Sequence, residues 1–262
     1  MKKHITPENF QSIIKDFYKT NKRTFPWRDT RDPYKILVSE LMLQQTQTDR
    51  VIPKYIALLE QFPDFATLAD TPLTDVLRLW SGLGYNRRAK YLHESAKIVA
   101  KEFGGKLPSD TKELLRLPGI GVYTAGAVQA FAFNMRAIFI ETNIRRVFIH
   151  TFFEEKDQIH DKEIIQYITD TLPQSNIAEW YYALMDYGAF LGRTLPNPNK
   201  KSKSYIIQSP FKGSRREIRG KLLRLSLQGK ISPTHPELAE YTPEIIFEVF
   251  EDLKREGLVD SD

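Results

Sequence analysis

Two glutamates occupy positions where a carboxylate is costly, and their chemistry sets the first expectation. Glu40 lies in an apolar helical stretch, Tyr34–Gln45, with Ile36, Leu37, Val38, Leu41, Met42 and Leu43 on nearly every side. A carboxylate there is at least partly buried, and desolvation raises its pKa toward neutrality. Such a group holds a proton and can deliver it as a general acid. The plainer alternative is a structural carboxylate that caps backbone or pairs with an arginine. Glu141 opens Glu141-Thr-Asn143, between the apolar run Ala137–Ile140 and a helix expected from Ile144 to about Phe152. Simple helix capping accounts for a carboxylate at that place. Its position after an apolar run argues for more. One carboxyl kept protonated and one ionised are what cleavage of a glycosidic bond needs. The first protonates the leaving group and the second faces an oxocarbenium-like sugar.

Two glycine-punctuated turns accompany the carboxylates. Leu117-Pro-Gly-Ile-Gly121 separates a short helix over Thr111–Arg116 from an alanine-rich helix over Thr124–Phe133. Gly119 and Gly121 permit positive φ and close approach of a partner. Val122 follows at the start of the second helix, whose first N–H groups lack intrahelical acceptors and suit a nucleic-acid phosphate. An ordinary αα-hairpin accounts for the same segment. In Trp80-Ser-Gly-Leu-Gly-Tyr-Asn-Arg-Arg-Ala-Lys90 the tip presents Tyr85, with Arg87, Arg88 and Lys90 behind it. An aromatic ring beside cations suits base stacking with phosphates held alongside, although Tyr85 could also cover a helix end.

The elements that must position these residues are helical throughout. Apolar residues recur at helical spacing in Pro7–Thr20, Val51–Phe62, Leu73–Ser81, Arg88–Phe103, Lys162–Leu172 and Glu179–Leu191, and no alternating run is long enough for a sheet. An all-α fold is expected. Past the basic, proline-broken stretch Arg193–Ser204, helices over Ser214–Leu227, Pro236–Tyr241 and Thr242–Glu256, with Gly257–Val259 as a strand, resemble a small winged-helix module. Its last helix carries Glu244, Glu248, Glu251, Asp252 and Glu256, and an acidic helix repels phosphate. Arg215, Arg216, Arg219 and Lys221 on the first helix are better candidates for backbone contact, with a solvated basic face as the alternative. The net charge of +5 across 262 residues leans toward a polyanionic partner. Cysteine is absent, which excludes disulfides and thiolate metal sites. The start carries no apolar signal-peptide core and no stretch is long enough to span a membrane, so a cytoplasmic, nucleoid-associated protein is expected.

Together, Phe25-Pro-Trp-Arg28, Ser39-Glu-Leu-Met-Leu-Gln-Gln-Thr-Gln47, Trp80-Ser-Gly-Leu-Gly-Tyr85, Leu117-Pro-Gly-Ile-Gly121 and Leu184-Met-Asp-Tyr-Gly-Ala189 are specific. Their order and spacing resemble the MutY adenine DNA glycosylases of the helix-hairpin-helix (HhH-GPD, endonuclease III-like) superfamily, over roughly residues 10–195. The resemblance implies a six-helix barrel domain over 25–133, and a second helical domain built from 1–24 and 134–195. A basic linker over 196–204 and the module over 205–262 would follow. It implies that Glu40 protonates adenine at N7, and that Gln45 and Tyr85 fill or wedge the stack beside a flipped base, with Gln44 a neighbouring DNA contact. Arg87, Arg88, Gly119, Gly121 and Val122 are the further DNA contacts expected. Asn143 matches a family asparagine near the catalytic carboxylate. Tyr123 stands where bifunctional relatives keep a Schiff-base lysine, which implies a monofunctional hydrolase with water as nucleophile. The implied partner is double-stranded DNA with a mispaired or damaged base, bound by a monomer.

Three departures stand out. The family's catalytic aspartate falls on Glu141, one methylene longer. The four ligands of the family's 4Fe-4S cluster fall on Gly192, Asn199, Ser202 and Gln208, so no cluster and no metal are expected. The family's Nudix-like C-terminal domain has no counterpart in the segment from Tyr205. Two alternatives remain. Arg23–Tyr34 and Tyr123 also resemble the mismatch-specific thymine/uracil glycosylases of the superfamily, with Gln44-Gln45 favouring adenine. A non-catalytic protein that binds distorted DNA is the other.

Overall fold

A computed structural model describes residues 5–229 and 235–259. The outermost residues of the expected segments 1–24 and 205–262, and 230–234 within the latter, lie outside the described residues. In chain order the helices are α1 (Pro7–Asn21), α2 (Pro33–Leu43), α3 (Thr48–Gln61), α4 (Phe65–Asp70), α5 (Leu73–Trp80), α6 (Arg87–Glu102) and α7 (Thr111–Arg116). They continue with α8 (Val122–Phe131), α9 (Thr142–Phe152), α10 (Asp161–Thr171), α11 (Ile177–Thr194), α12 (Arg215–Leu227) and α13 (Pro243–Arg255). Among the described residues no strand forms beyond an isolated parallel bridge between Ile159 and Ser202. No helix among them is long and apolar enough to cross a membrane.

The chain divides into two compact units, which differ from the expected domains. The first holds residues 1–36, 109–111 and 120–207. It therefore takes in α8 and residues 25–36, which were expected in the barrel domain. Here α1 begins with Thr6 accepting from the Asn9 amide and Pro7 in the first turn, and it buries Phe10, Ile14 and Tyr18. Phe10 meets Phe148, Phe152 and Trp180 with ring centroids 5.3, 5.1 and 5.8 Å away. Two of the sequence motifs prove to be one clamp. Arg28 donates to both Asp186 oxygens at 2.8 and 2.9 Å, and Arg23 Nε donates at 2.6 Å. Burial opposes ionisation of Asp186, yet the hydrogen bonds and charges of Arg28 and Arg23 hold its carboxyl below the ordinary value.

Gly188 sets the distance between α11 and α9. A Cβ there would lie 2.2 Å from the Asn143 carbonyl oxygen, so only glycine fits. Gly188→Ala is expected to force the two helices apart and to cost about 3 kcal/mol, the upper range of overpacking, read as a lowered urea midpoint at unchanged m-value.

The second unit holds residues 37–108, 112–119 and 208–262. Its α4 and α5 pack on α6, α3 packs on α5, and α12 packs on both α13 and α5. The C-terminal module is therefore not a separate body. Glu256 accepts from Arg87 and from Arg219, and Lys90 Nζ donates to the Glu256 carbonyl. Arg215 reaches Glu248 at 2.9 Å and Asp252 at 2.8 Å, and Lys221 pairs with Glu240. Arg215 and Arg219 are thus neutralised by carboxylates on and just after α13, and Lys221 by Glu240 ahead of it, so these basic residues of α12, expected to meet phosphate, are already paired. Gly257–Val259, expected as a strand, instead ends α13. Gly257 (φ 62°) donates to the Lys254 carbonyl at 2.8 Å and Leu258 to Leu253 at 3.0 Å, the pairing of a left-handed glycine cap.

Candidate active site and nucleic-acid interface

Glu40 is buried at 5% exposure among Leu37, Val38, Leu41 and Met42, each fully buried. The helix carrying it stops at Leu43 rather than continuing to Gln45, and the cause is Arg88. Its Nη1 donates to the carbonyls of Leu41, Met42 and Gln44 at 2.8, 2.9 and 2.6 Å. Its Nη2 donates to Thr46 Oγ1 at 3.0 Å and to the Gly84 carbonyl at 2.8 Å, and its Nε to the Tyr85 carbonyl at 3.2 Å. Carbonyls that would have continued the helix are satisfied by a cation instead. Arg88 was expected on phosphate. It is 6% exposed and holds two loops together, so its guanidinium is scaffold rather than surface. Burial pushes Arg88 down to about 10, which leaves it charged near neutrality.

The two loops tied by Arg88 present Gln45 at φ 55° and Tyr85 at φ 48°. Neither residue type adopts the left-handed region at ease, and such strain persists where the surroundings over-determine it, commonly at ligand-contacting sites. The C-terminal segment reaches the same place. Gln208 Nε2 donates to Gln45 Oε1 at 2.9 Å and to the Tyr85 hydroxyl, and Arg216 Nη1 donates to that hydroxyl at 3.1 Å. Gln44, Gln45, Tyr85, Arg87 and Arg88 are brought together around one cavity that also involves Arg216 and Glu256. Sequence reasoning had not placed Gln208 or Arg216 beside Tyr85. Only the basic run in the first helix of the module pointed there.

Gly119 has φ 76°, and a Cβ there would meet the Tyr91 Cβ at 2.8 Å, so the turn after α7 packs directly on α6. Ser95 Oγ reinforces that seat by donating to the Pro118 carbonyl at 3.0 Å. Gly121 is the N-cap of α8 with open space where a side chain would be. Val122 beside it is 71% exposed, so the first turn of α8 offers backbone N–H groups at an accessible surface. In the same unit Tyr123 is half-buried, its ring edge-on to Phe139 at 5.7 Å. Glu141 is the N-cap of α9, as the capping alternative expected. Its Oε1 accepts from the Ile144 amide at 2.8 Å and its Oε2 from Asn143 Nδ2 at 3.3 Å. A carboxylate has about four acceptor sites, so these two bonds fix its direction without exhausting it. Asn143 is fixed in turn by Arg146 Nη1, 2.8 Å from its Oδ1 and 2.7 Å from the Gly188 carbonyl.

A family model described as "HhH-GPD superfamily base excision DNA repair protein" matches residues 38–174. The chain belongs to this superfamily. It is 38% identical over 183 residues to an adenine DNA glycosylase of Buchnera aphidicola subsp. Baizongia pistaciae, covering 70% of this chain and 52% of that protein. It is 32% identical over 185 residues to a thymine/uracil-DNA glycosylase of Methanothermobacter thermautotrophicus, covering 70% of this chain and 84% of that protein. A solved structure of a thermostable thymine-DNA glycosylase superposes with a TM-score of 0.62 at 30% identity, covering 70% of this chain and 86% of that one. The chain spans about half the length of the adenine glycosylase it matches.

Within this HhH-GPD chain, the positions on which the sequence resemblance places the cluster ligands do not fit an iron–sulfur cluster. Gly192 has no side chain, and a Cβ there would lie 2.6 Å from Arg146 Nη1. Asn199 buries its amide, donating to the Thr142 carbonyl at 3.0 Å, and its Oδ1 has no partner. Ser202 Oγ accepts from the Ser204 amide at 3.1 Å. None of these is a thiolate. The stretch expected as a linker over 196–204 is a strap in the first unit. Its 3₁₀ turn, Pro198–Lys201, packs on α9, and Ile159 pairs with it through bonds of 2.9 Å to Lys201 and 3.0 Å from Lys203. Gln208, on which the resemblance places the remaining ligand, donates instead to Gln45 and Tyr85.

Proposed function

We propose that the chain is a monofunctional DNA glycosylase that removes adenine mispaired with guanine or 8-oxoguanine. The observation that carries this reading is the buried Glu40 on a helix whose end, shaped by Arg88, presents Gln45 beside Tyr85 with both backbones left-handed. Relatives named adenine DNA glycosylase support it. In this mechanism the target base leaves the stack, and Gln45 and Tyr85 fill the gap. Glu40 gives its proton to N7, so the base departs neutral when the bond to C1′ breaks. The carboxylate of Glu141, oriented by its cap and by Asn143, faces the oxocarbenium-like sugar, and water adds to C1′ with loss of a proton. Tyr123 has no amine to form a Schiff base, so the product is an abasic site without strand incision. The protein is expected to act as a monomer and without a cluster. Purified protein should then contain no iron by elemental analysis and lose neither stability nor activity on treatment with a chelator.

Burial raises the Glu141 carboxyl, opposed by the amides of Asn143 and Ile144 and by the charges of Arg146 and Arg145. The ionised form is the one that faces the sugar, so single-turnover excision should fall as pH drops through this raised value. The acid limb is expected above the ordinary glutamate value of about 4.3, and Arg146→Met should move it higher by removing a favourable charge. A limb at the ordinary position in both proteins would count against Glu141.

A second reading is favoured by the Methanothermobacter thermautotrophicus thymine/uracil relative, which this chain covers over 84% of its length. Single-turnover incubation with duplexes carrying A:8-oxoG, A:G, T:G and U:G, with and without alkali, separates the readings. Alkali-dependent cleavage at A supports the first, and cleavage only at T or U supports the second. Duplex binding with no product would leave a non-catalytic protein.

A further inference from the structure

In the first unit the peptide between Thr142 and Asn143 is held at both ends. Its carbonyl accepts from Asn199 Nδ2, on the 196–204 strap, at 3.0 Å. Its N–H, the Asn143 amide, donates to the Glu141 carboxyl and lowers that carboxyl against the effect of burial. A peptide unit is planar, with its C=O and N–H pointing opposite ways, so a pull on the oxygen also moves the hydrogen bond to Glu141. Asn199 is 3% exposed, and its Oδ1 accepts no bond among the described residues. A buried amide with one end unmet is costly, so packing alone does not account for an asparagine there. Asn197 joins the strap to the same loop a second time. Its Oδ1 accepts from the Asn199 amide at 3.2 Å and from Arg146 Nε at 3.4 Å, and Arg146 Nη1 donates to Asn143 Oδ1 at 2.8 Å. Gly192 leaves the room that this guanidinium fills, since a Cβ there would lie 2.6 Å from Nη1. Two positions on which the resemblance places cluster ligands thus serve the loop that carries Glu141, one by its lack of a side chain and one by its amide. The strap is anchored independently through Ile159, by bonds of 2.9 Å to Lys201 and 3.0 Å from Lys203.

We propose that Asn199 is a positioning residue for Glu141, and that the strap, through the Thr142–Asn143 peptide, sets the direction in which the carboxylate faces the sugar. Side-chain amides, and not metal ligation, then hold this loop in its working conformation. The inference rests on the reading of Glu141 as the carboxylate that faces the sugar, and it holds whichever base is removed. Thr142 is the first residue of α9, so its carbonyl also has the ladder amide of Arg146 as a donor. Losing Asn199 therefore leaves that acceptor served, and stability and orientation become separable. The charges acting on Glu141 come from Arg146 and Arg145 of α9, and Arg145 is paired with Asp161 at the start of α10 at 2.9 and 2.8 Å. A substitution at position 199 leaves all three in place.

The test compares Asn199→Leu and Asn199→Ala with wild type and with Glu141→Gln, each as the full chain. Leucine keeps the volume and alanine does not, and both remove the donor together with the unmet Oδ1. The Glu141 carboxyl is followed by its isotope-labelled NMR signal, assigned by its absence in Glu141→Gln. That titration is read without DNA, so it does not depend on activity. Single-turnover excision is followed beside it on whichever of the four duplexes is cleaved. In both Asn199 variants the Glu141 carboxyl is expected to titrate at higher pH than in wild type, because its Asn143 donor is no longer held. The acid limb of excision should move up with it, and the plateau should fall about tenfold, short of the roughly 10²-fold of a full ångström of displacement. The urea midpoint of Asn199→Leu should stay close to wild type, since a bond and an unmet acceptor leave together. A wild-type titration and limb in Asn199→Leu, with only Asn199→Ala impaired, would make the residue packing and overturn the proposal. Rates that fall with the folded fraction, at an unmoved limb, would overturn it as well. Wild-type excision by Glu141→Gln would overturn both the proposal and the reading beneath it. An inactive Glu141→Gln beside a fully active Asn199→Leu would overturn the proposal alone.

Discussion

Glu40→Gln is expected to lower single-turnover adenine release by about 10³-fold, the midrange contribution of a positioned general acid. The substitution keeps shape and removes the transferable proton. Glu40 has Leu37, Val38, Leu41 and Met42 around it with no measurable exposure, so water cannot easily supply the proton in its place. Binding to a mispaired duplex should persist, because Gln45, Tyr85 and the start of α8 are untouched. Glu40→Asp distinguishes proton supply from position. It retains an acid but withdraws it by one methylene, and a positional loss of about 10²-fold is expected. If Glu40→Gln excised at the wild-type rate, the residue would be one more buried, hydrogen-bonded carboxylate.

Arg88→Met is expected to destabilise the fold by about 3–5 kcal/mol, as when several buried acceptors lose their one shared donor at about 1–3 kcal/mol each, partly offset by the desolvation of the guanidinium that is no longer needed. The methionine matches the length of the arginine stem but satisfies none of its acceptors. Carbonyls of Leu41, Met42, Gln44, Gly84 and Tyr85 would each lose a donor, and unmet buried acceptors are costly. For a chain of this size that corresponds to a melting temperature lowered by roughly 10 °C. The loops carrying Gln45 and Tyr85 should also loosen, because the contacts that impose their left-handed backbones are gone. Faster amide exchange at residues 44–46 and 84–86 would show it. An exposed phosphate-contacting arginine would behave otherwise, weakening DNA binding with little change in melting.

Arg88 also shows how far the sequence could be read. It stands next to Arg87 behind a loop tip, and proximity to the tip suggested phosphate. Helical spacing carried the opposite signal, since Leu92, Ser95 and Val99 continue the same buried face of α6. Glu40 was legible because apolar neighbours surround it within its own helix. Glu141 was legible as a cap and as a candidate ionised carboxylate, and the structure realises the cap while orienting the carboxylate. The helix α4 was missed. It is one short turn and a half, and its marks were Asp64, which accepts from the Thr67 amide at 2.8 Å, and the buried pair Phe65 and Leu68. The acidity of α13 was visible, but the residues it neutralises were not, because Arg87, Arg215 and Arg219 come from distant segments. Likewise, the merging of the C-terminal module with residues 37–108 depends on long-range pairs such as Gln208 with Tyr85 and Glu256 with Arg87. Tertiary pairing of this kind leaves no local pattern to read.

The measurement that tests the account most directly is chromatographic detection of the free base released in one turnover from a duplex carrying A:8-oxoG or A:G. The account predicts free adenine in an amount matching the alkali-labile sites formed, with intact strands before alkali. Release of thymine or uracil from the corresponding T:G or U:G duplexes, with adenine retained in its strand by folded, DNA-bound protein, would contradict it.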